Sequence, residues 1–266
     1  MDSLLPTVED LLARVADQEI LSRFNKLTEL DIHYKDGRRD IVTTADLEAE
    51  NRIREGLLKI MPDSVVIGEE DAFKNPEILD KLNGSTPVWL VDPVDGTRNF
   101  SNGKACFAVI CALVVDGVTQ MGWILDPVAG ACIYTQKGHG TYLGEQKLNL
   151  NFQPDDLQSL TGSLGECIQD RFKKSTADDV PERLVRYHCV GREYMDLALG
   201  KIHFALYGGK MMPWDHAAGV LMVQEAGGYA RTINGERDYS PRRQGSEERL
   251  LIAPNAPTFK SLLQLI

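Results

Sequence analysis

The stretch Trp89-Leu90-Val91-Asp92-Pro93-Val94-Asp95-Gly96-Thr97-Arg98-Asn99-Phe100 constrains this chain more than any other. An apolar run, Val88 to Val91, leads directly into two carboxylates three positions apart, then a glycine and a threonine. The run reads as a buried strand. Carboxylates at the end of a buried strand must be paired, protonated or bound to a cation, because an isolated buried charge is very costly. Pro93 stiffens the turn between them, and Gly96 lets the chain bend sharply and approach a ligand. Asp92 and Asp95, with the Val94 carbonyl as a third oxygen, form a donor set that suits magnesium. A helix starting near Thr97 would turn the amides of Gly96 and Thr97 outward as an anion site for phosphate. Metal on one side and anion site on the other point to phosphoryl chemistry, although the same residues taken alone fit an ordinary turn.

Two further acidic segments bear on that choice. The apolar run Ser64 to Ile67 reads as a short strand that delivers Gly68-Glu69-Glu70-Asp71. Glu69 follows the strand directly and reads as a metal ligand, whereas Glu70 and Asp71 read as a solvated acidic loop. In Trp214-Asp215-His216-Ala217-Ala218-Gly219, Asp215 is the N-cap or a first-turn residue of a small-residue-rich helix that ends at Gly227. A capping role alone would explain Asp215. His216 is turned about 100° away from it on a helix and is expected to pack or hydrogen-bond elsewhere.

Length and composition bound the class. With 266 residues, 43% hydrophobic and 26% charged, the chain has ample core for one large domain or two medium ones. We place a boundary near residue 150, giving an N-terminal α+β domain (1–150) that carries most of the candidate metal ligands and a C-terminal α/β domain (151–266) that supplies Asp215 and substrate contacts. The formal charge of -10 disfavours nucleic acid as a direct partner. Cys106, Cys111, Cys132, Cys167 and Cys189 have no Cys-x-x-Cys spacing and read as free thiols. No basic leader or membrane-length apolar run is evident, so a cytoplasmic enzyme is expected.

Periodicity predicts a helix from about Val8 to Phe24, a mobile exposed turn from Tyr34 to Asp40, a strand end at Ile41 to Thr44, and a helix from Ala45 to Met61 with Asp46 near its start. Alternation and glycine turns between Phe107 and Leu148 predict an antiparallel meander, with Gly138, Gly140 and Gly144 as hairpin glycines rather than a nucleotide loop. Beyond a polar linker, strands are expected over 160–165, 185–190 and 202–207. A helix is expected over 193–199, and a polar loop or helix over 172–180.

Gly68-Glu69-Glu70, Asp92-Pro93-Val94-Asp95-Gly96-Thr97, Trp214-Asp215-x-Ala217-Ala218-Gly219 and Asp40-x-Val42-Thr43-x-x-Asp46 together resemble the signature motifs of the inositol monophosphatase family, in order and over nearly the whole chain. The resemblance implies an α+β fold, a layered αβαβα sandwich, and a homodimeric, lithium-sensitive, Mg2+-dependent phosphomonoesterase that uses two or three ions. It assigns the metals to Glu69, Asp92, the Val94 carbonyl, Asp95 and Asp215, and phosphate contacts to Gly96 and Thr97. Activation of the attacking water falls to Thr97 and Asp46 with the metal held by Glu69, without a covalent enzyme intermediate. The loop resembling Lys35 to Asp40 helps to complete an additional metal site.

The chain departs from the family's inositol-specific members in one region. Tyr207-Gly208-Gly209-Lys210-Met211-Met212-Pro213 lacks the glutamate found before Trp-Asp, and Gly191-Arg192-Glu193-Tyr194 replaces a Gly-Ser-Ala turn. Arg192 and Lys210 either read a second anionic group on the substrate or face solvent. The expected substrate is a small phosphate ester such as inositol 1-phosphate. The alternatives are histidinol phosphate, fructose bisphosphate or a nucleotide phosphate, or a regulatory binding protein of the extragenic-suppressor type.

Overall fold

Every side chain from Val88 to Asp95 is buried, so this strand is covered on both faces. Val88 and Leu90 pack into one apolar core and Trp89 and Val91 into another. The structure, a computed structural model, describes residues 3–35, 41–165, 169, 180–242 and 248–266.

The first half runs through α1 (Leu4–Val15), the hairpin β1 (Ile32–Tyr34) and β2 (Ile41–Thr43), α2 (Thr44–Ile60), β3 (Val65–Gly68), α3 (Glu69–Lys74), β4 (Val88–Asp95) and α4 (Thr97–Ser101). The meander follows as β5 (Ala108–Val115), β6 (Val118–Asp126), β7 (Ala131–Gln136), β8 (Gly140–Leu143) and β9 (Gln146–Leu148). Strands β3 to β9 lie in sequence order in a seven-stranded sheet, parallel only between β3 and β4. As the alternation predicts, the meander is antiparallel. Gly138 and Gly140 take left-handed φ of 78° and 100° in its β7–β8 turn, and their N–H groups donate to Glu225.

The second half runs through β10 (Thr161–Leu164), β11 (Arg183–Val185), α5 (Val190–Ala198), β12 (Phe204–Gly208), α6 (Pro213–Glu225), β13 (Tyr229–Thr232), β14 (Arg249–Ala253) and α7 (Ala256–Leu263). Its five-stranded sheet has the order β11-β10-β12-β14-β13 and mixes parallel and antiparallel pairs.

Strand alternation stacks these elements into layers. Helices α1 and α2 cover one face of the large sheet through Val8, Leu12, Ala49, Ile53 and Leu57 against Trp89, Val109 and Trp123. Its other face, with Leu90, Ile110 and Ile124, meets α5 and α6, which also contact Ala205, Ala230, Leu250 and Ile252 of the small sheet. The small sheet's far face, with Phe204, Leu206 and Leu251, is closed by Phe259 and Leu262 of α7. This is the αβαβα sandwich implied by the resemblance.

Helix α6 lies between two sheets and is accordingly apolar nearly all round, with every residue from His216 to Val223 buried. Small residues set its approach. A Cβ on Gly122 would lie 2.8 Å from the Ala218 Cα, and one on Gly219 would lie 2.0 Å from the Tyr194 ring.

Three sequence-based boundaries are corrected. Strand β4 does not stop at Val91 but continues to Asp95 through a bulge, where Asp92 pairs with Ile110 and Asp95 with Ala108. The extra residue accommodates Pro93, which has no N–H for the ladder. Helix α1 ends at Val15 and passes into a π-helical stretch, Ala16–Leu21, rather than running to Phe24. The strand expected over 185–190 is only β11, because Cys189 instead caps α5, its sulfur accepting from the Arg192 N–H. Residues 36–40, including Asp40 of the signature, Cys167 and residues 172–179 lie outside the described residues.

Candidate active site

Strand ends and helix starts deliver the acidic residues to one place. Glu69 opens α3 straight after β3, Asp92 stands at the β4 bulge, and Asp215 lies in the first turn of α6 behind Pro213. One carboxylate oxygen from each of Glu69, Asp92 and Asp215 lies within 4.8 Å of the others. Three carboxylates this close, all oxygen donors and two of them from the first turns of helices, fit a hard divalent cation.

The electrostatics agree with that fit. Burial raises Asp92 well above the usual carboxylate range, and Glu69, Asp95 and Asp215 add to it. Asp215 is raised well above that range too, by burial and then by Glu69 and Asp95. Repulsion of this kind is what a bound cation relieves.

Asp95 faces a different task. Its Oδ2 accepts from the Gly191 N–H and from the Cys189 thiol, 3.1 Å away, which ties the β4 bulge to the start of α5. The Asp95 carboxyl is still raised by burial, against the pull of those donors. Asp95 therefore borders the trio and also links the two halves of the chain.

Next to the trio, Asp46 and Thr97 meet as the motif implies. The Thr97 hydroxyl lies 3.0 Å from both Asp46 Oδ1 and the Val94 carbonyl oxygen. Thr43 donates its N–H to Asp46 Oδ2 at 2.8 Å, completing a capping box at the start of α2. Burial raises Asp46 to about 6, with Thr43 opposing. Gly96 caps the short α4 in a left-handed conformation, φ 90°, and a Cβ there would lie 3.0 Å from the Cys106 carbonyl oxygen.

Two expectations from the sequence fail here. Glu70 is not a solvated loop residue: it is 4% exposed, and Lys35 reaches it at 2.7 Å and Glu69 at 2.6 Å. Lys35 in turn is not exposed, its side chain being 4% accessible. Burial disfavours the Lys35 ammonium, but Glu69 and Glu70 outweigh it and raise its pKa, while burial and Glu69 push Glu70 up to about 8. Adjacent carboxylates at a strand end call for a cation, and that signal was present in the sequence. Asp71 does stay half-exposed, paired with Arg54 at 3.0 Å.

Arg192 does not face solvent freely: it is paired with Asp126 and lies 3.6 Å from Asp196. Lys210 is exposed in the turn after β12. Near them a cavity of about 550 Å³ opens beside Asp95, lined among others by Ser163, Arg186, Glu193, Tyr207 and Arg249. Glu193, which the motifs do not single out, is 6% exposed and faces Ser163 and Tyr207, and burial raises it to about 6. Its only trace in the sequence is an acidic residue two positions after the glycine that binds Asp95. His216 turns away from the carboxylates as helix geometry demands, its Nδ1 3.0 Å from the Tyr194 hydroxyl, and burial lowers it to about 3.

The layered sandwich and the acidic site define a phosphatase, a hydrolase of phosphoric monoesters. The chain belongs to the inositol monophosphatase family, whose sequence model matches residues 2–264. An inositol-1-monophosphatase of Caulobacter vibrioides is 34% identical over 236 residues, covering 84% of this chain and 87% of the relative. The Nus factor SuhB of Pseudomonas aeruginosa is 30% identical, covering 96% and 92%. Among solved structures, a Thermotoga maritima IMPase superposes with a TM-score of 0.82 at 22% identity, covering 100% of this chain and 96% of that one. An IMPase/NADP phosphatase complexed with Mg2+ and phosphate superposes with a TM-score of 0.80 at 20% identity, covering 99% and 94%. At such identities the likeness shows the fold. No described helix is long and apolar enough to cross a membrane.

Proposed function

We propose that this chain hydrolyses small polar phosphate monoesters of the inositol 1-phosphate type by Mg2+-assisted attack of water. The convergence of Glu69, Asp92 and Asp215 beside the Asp46–Thr97 pair carries this reading. Glu69, Asp92, Asp95, Asp215 and the Val94 carbonyl would hold two or three Mg2+ ions. When bound, these ions neutralise the phosphate oxygens and make water available as a nucleophile near neutral pH. The Thr97 hydroxyl, fixed between Asp46 and the Val94 carbonyl, orients that water, and Asp46 takes up its proton. Gly96 and Thr97 contact the phosphate. Lithium inhibition, a homodimer and residence in the cytoplasm belong to the same proposal and rest on family likeness.

The leaving group occupies the cavity beside Asp95. Its mixed lining, with Glu193 and Tyr207 together with Arg186 and Arg249, suits an alcohol with several hydroxyls or a second polar group. A second reading, regulation through a partner as the name Nus factor suggests, is favoured only by relatives that carry that name, at 30% and 28% identity. Phosphate release from inositol 1-phosphate, with and without Mg2+, tests the proposal. Turnover is expected with Mg2+ alone, and its absence there and on sugar, nucleotide and histidinol phosphates would favour the regulatory reading.

Glu193→Gln keeps the shape of the side chain and removes its charge. Across the same substrate panel, KM is expected to rise by about 10–100-fold for polyol phosphates and little for a simple aryl phosphate, since one lost charged hydrogen bond is worth about 1.5–3 kcal/mol. An identical shift for every substrate would detach Glu193 from the leaving group.

A further inference from the structure

Behind Glu69 lies a buried carboxylate that the proposed reaction does not use. Glu50 is 4% exposed and stands one turn after Asp46 on α2. Its Oε2 accepts the Glu70 N–H at 2.8 Å and its Oε1 the Asp71 N–H at 3.1 Å. These amides belong to the first turn of α3, which begins at Glu69. The first amides of a helix have no partner within it and are usually met by the N-cap side chain. Here the N-cap is Gly68, which has no side chain to offer.

The glycine and the glutamate are matched. A Cβ on Gly68 would lie 2.1 Å from the Glu50 carboxyl carbon, so only glycine leaves room for the carboxylate to reach the amides. Arg54, a further turn along α2, lies 3.2 Å from Glu50 Oε1 and 3.0 Å from Asp71 Oδ2, and donates to the Val66 carbonyl of β3 at 2.7 Å. A single stripe of α2 thus presents Asp46 to Thr97, Glu50 to α3 and Arg54 to β3. Spacing of four residues places the three on one face.

We propose that Glu50 is a positioning residue for the cation centre, fixing the first turn of α3 so that Glu69 meets Asp92 and Asp215. The assignment rests on the reading of those three carboxylates as cation ligands. Glu50 acts through the backbone of α3, and partners of this kind typically change metal affinity by about 10–100-fold when removed.

Mn2+ binding to the full chain, followed by titration calorimetry without substrate, tests this with Glu50→Ala and Glu50→Gln. Circular dichroism and thermal unfolding in EDTA identify the folded variants. Glu50→Ala is expected to bind Mn2+ about 10–100-fold more weakly, with Glu50→Gln in between because its carbonyl still accepts one of the two amides. At saturating Mg2+ the KM for substrate should stay at the wild-type value while the Mg2+ half-saturation rises, a split that loss of folded protein does not produce. Wild-type Mn2+ affinity in both variants, or in Glu50→Gln alone where Glu50→Ala fails to fold, overturns the assignment. Because no substrate is present, failure of the proposed phosphatase substrate leaves this measurement standing. A wild-type protein that binds no Mn2+ overturns the cation centre and the role of Glu50 with it.

Discussion

Asp92→Asn is expected to lower Mg2+-dependent phosphate release by at least about 10²–10³-fold while making the metal-free protein more stable. The two effects have one origin. Asp92 is fully buried and held close to Glu69 and Asp215, and the carboxyls of Asp92 and Asp215 are both raised. Asparagine keeps the shape and one oxygen, and its carbonyl can still accept the Val94 N–H that Asp92 Oδ1 accepts at 3.1 Å. It removes the negative charge that draws a cation, a change at least as severe as losing one preorganised donor or a supporting partner of a metal ligand. Without metal, the same change removes a buried carboxyl that must either hold a proton or repel its neighbours, and each 1 kcal/mol so gained raises Tm by about 2–4 °C. Activity assays and thermal unfolding in EDTA read the two effects. A variant that retains turnover would remove Asp92 from the centre, and one that is less stable without metal would show that the trio is not strained.

The second large effect is a stabilisation by Mg2+ that grows with pH. The carboxyls of Asp46, Asp92, Asp95 and Asp215 are all raised above 3.8, so in this range the metal-free folded state holds protons that the unfolded chain has released. Stability from these groups is complete below about 3.8 and is lost as pH rises through the folded values, about 6 for Asp46 and raised also for the others. For Asp46 alone, the rise from 3.8 to about 6 corresponds to about 3 kcal/mol. His216 works in the opposite sense: lowered to about 3 by burial, it stabilises the fold above its ordinary 6.5 and that contribution fades as pH falls. It acts equally with and without metal, so it cancels in the difference. Metal competes with the protons on the carboxylates. The gap in Tm between Mg2+-loaded and EDTA-treated protein should therefore widen from about pH 5 to about pH 8, with loading at a hundred times Kd contributing about 2.7 kcal/mol. A gap that narrows with rising pH would contradict the raised carboxyl groups.

The acidic residues of this site were legible because chemistry and chain punctuation coincide. Asp92 directly follows the apolar run of β4 and Asp215 opens a small-residue helix, and the structure brings both to Glu69. The antiparallel meander was legible from alternation, and the hairpin role of Gly138 and Gly140 from their setting. What escaped was pairing across the fold. Nothing local to Lys35 predicts that it is buried between Glu69 and Glu70, more than thirty residues away in sequence. Arg192 looked available for an anion because Asp126, its partner, lies on β6. Glu193 and Glu50 look like ordinary exposed helix residues until the elements packed against them are known. The end of β4 was misplaced because a proline between two aspartates usually marks a turn, and here the strand absorbs it as a bulge.

The tight seating of α6 bears on how this scaffold can change over generations. Gly122 against Ala218, and Gly219 against Tyr194, leave no space for even a methyl group on either side of the helix that carries Asp215. A larger side chain at either glycine would displace the helix and move Asp215 with it. The wall of the cavity beside Asp95, by contrast, includes the connection that contains Arg186 and His188 and the turn at Gly209. Connections of this kind accept substitutions and insertions at little cost in stability. Descendants of one ancestral sandwich can therefore drift from one phosphate ester to another while the chemistry that cleaves them stays fixed.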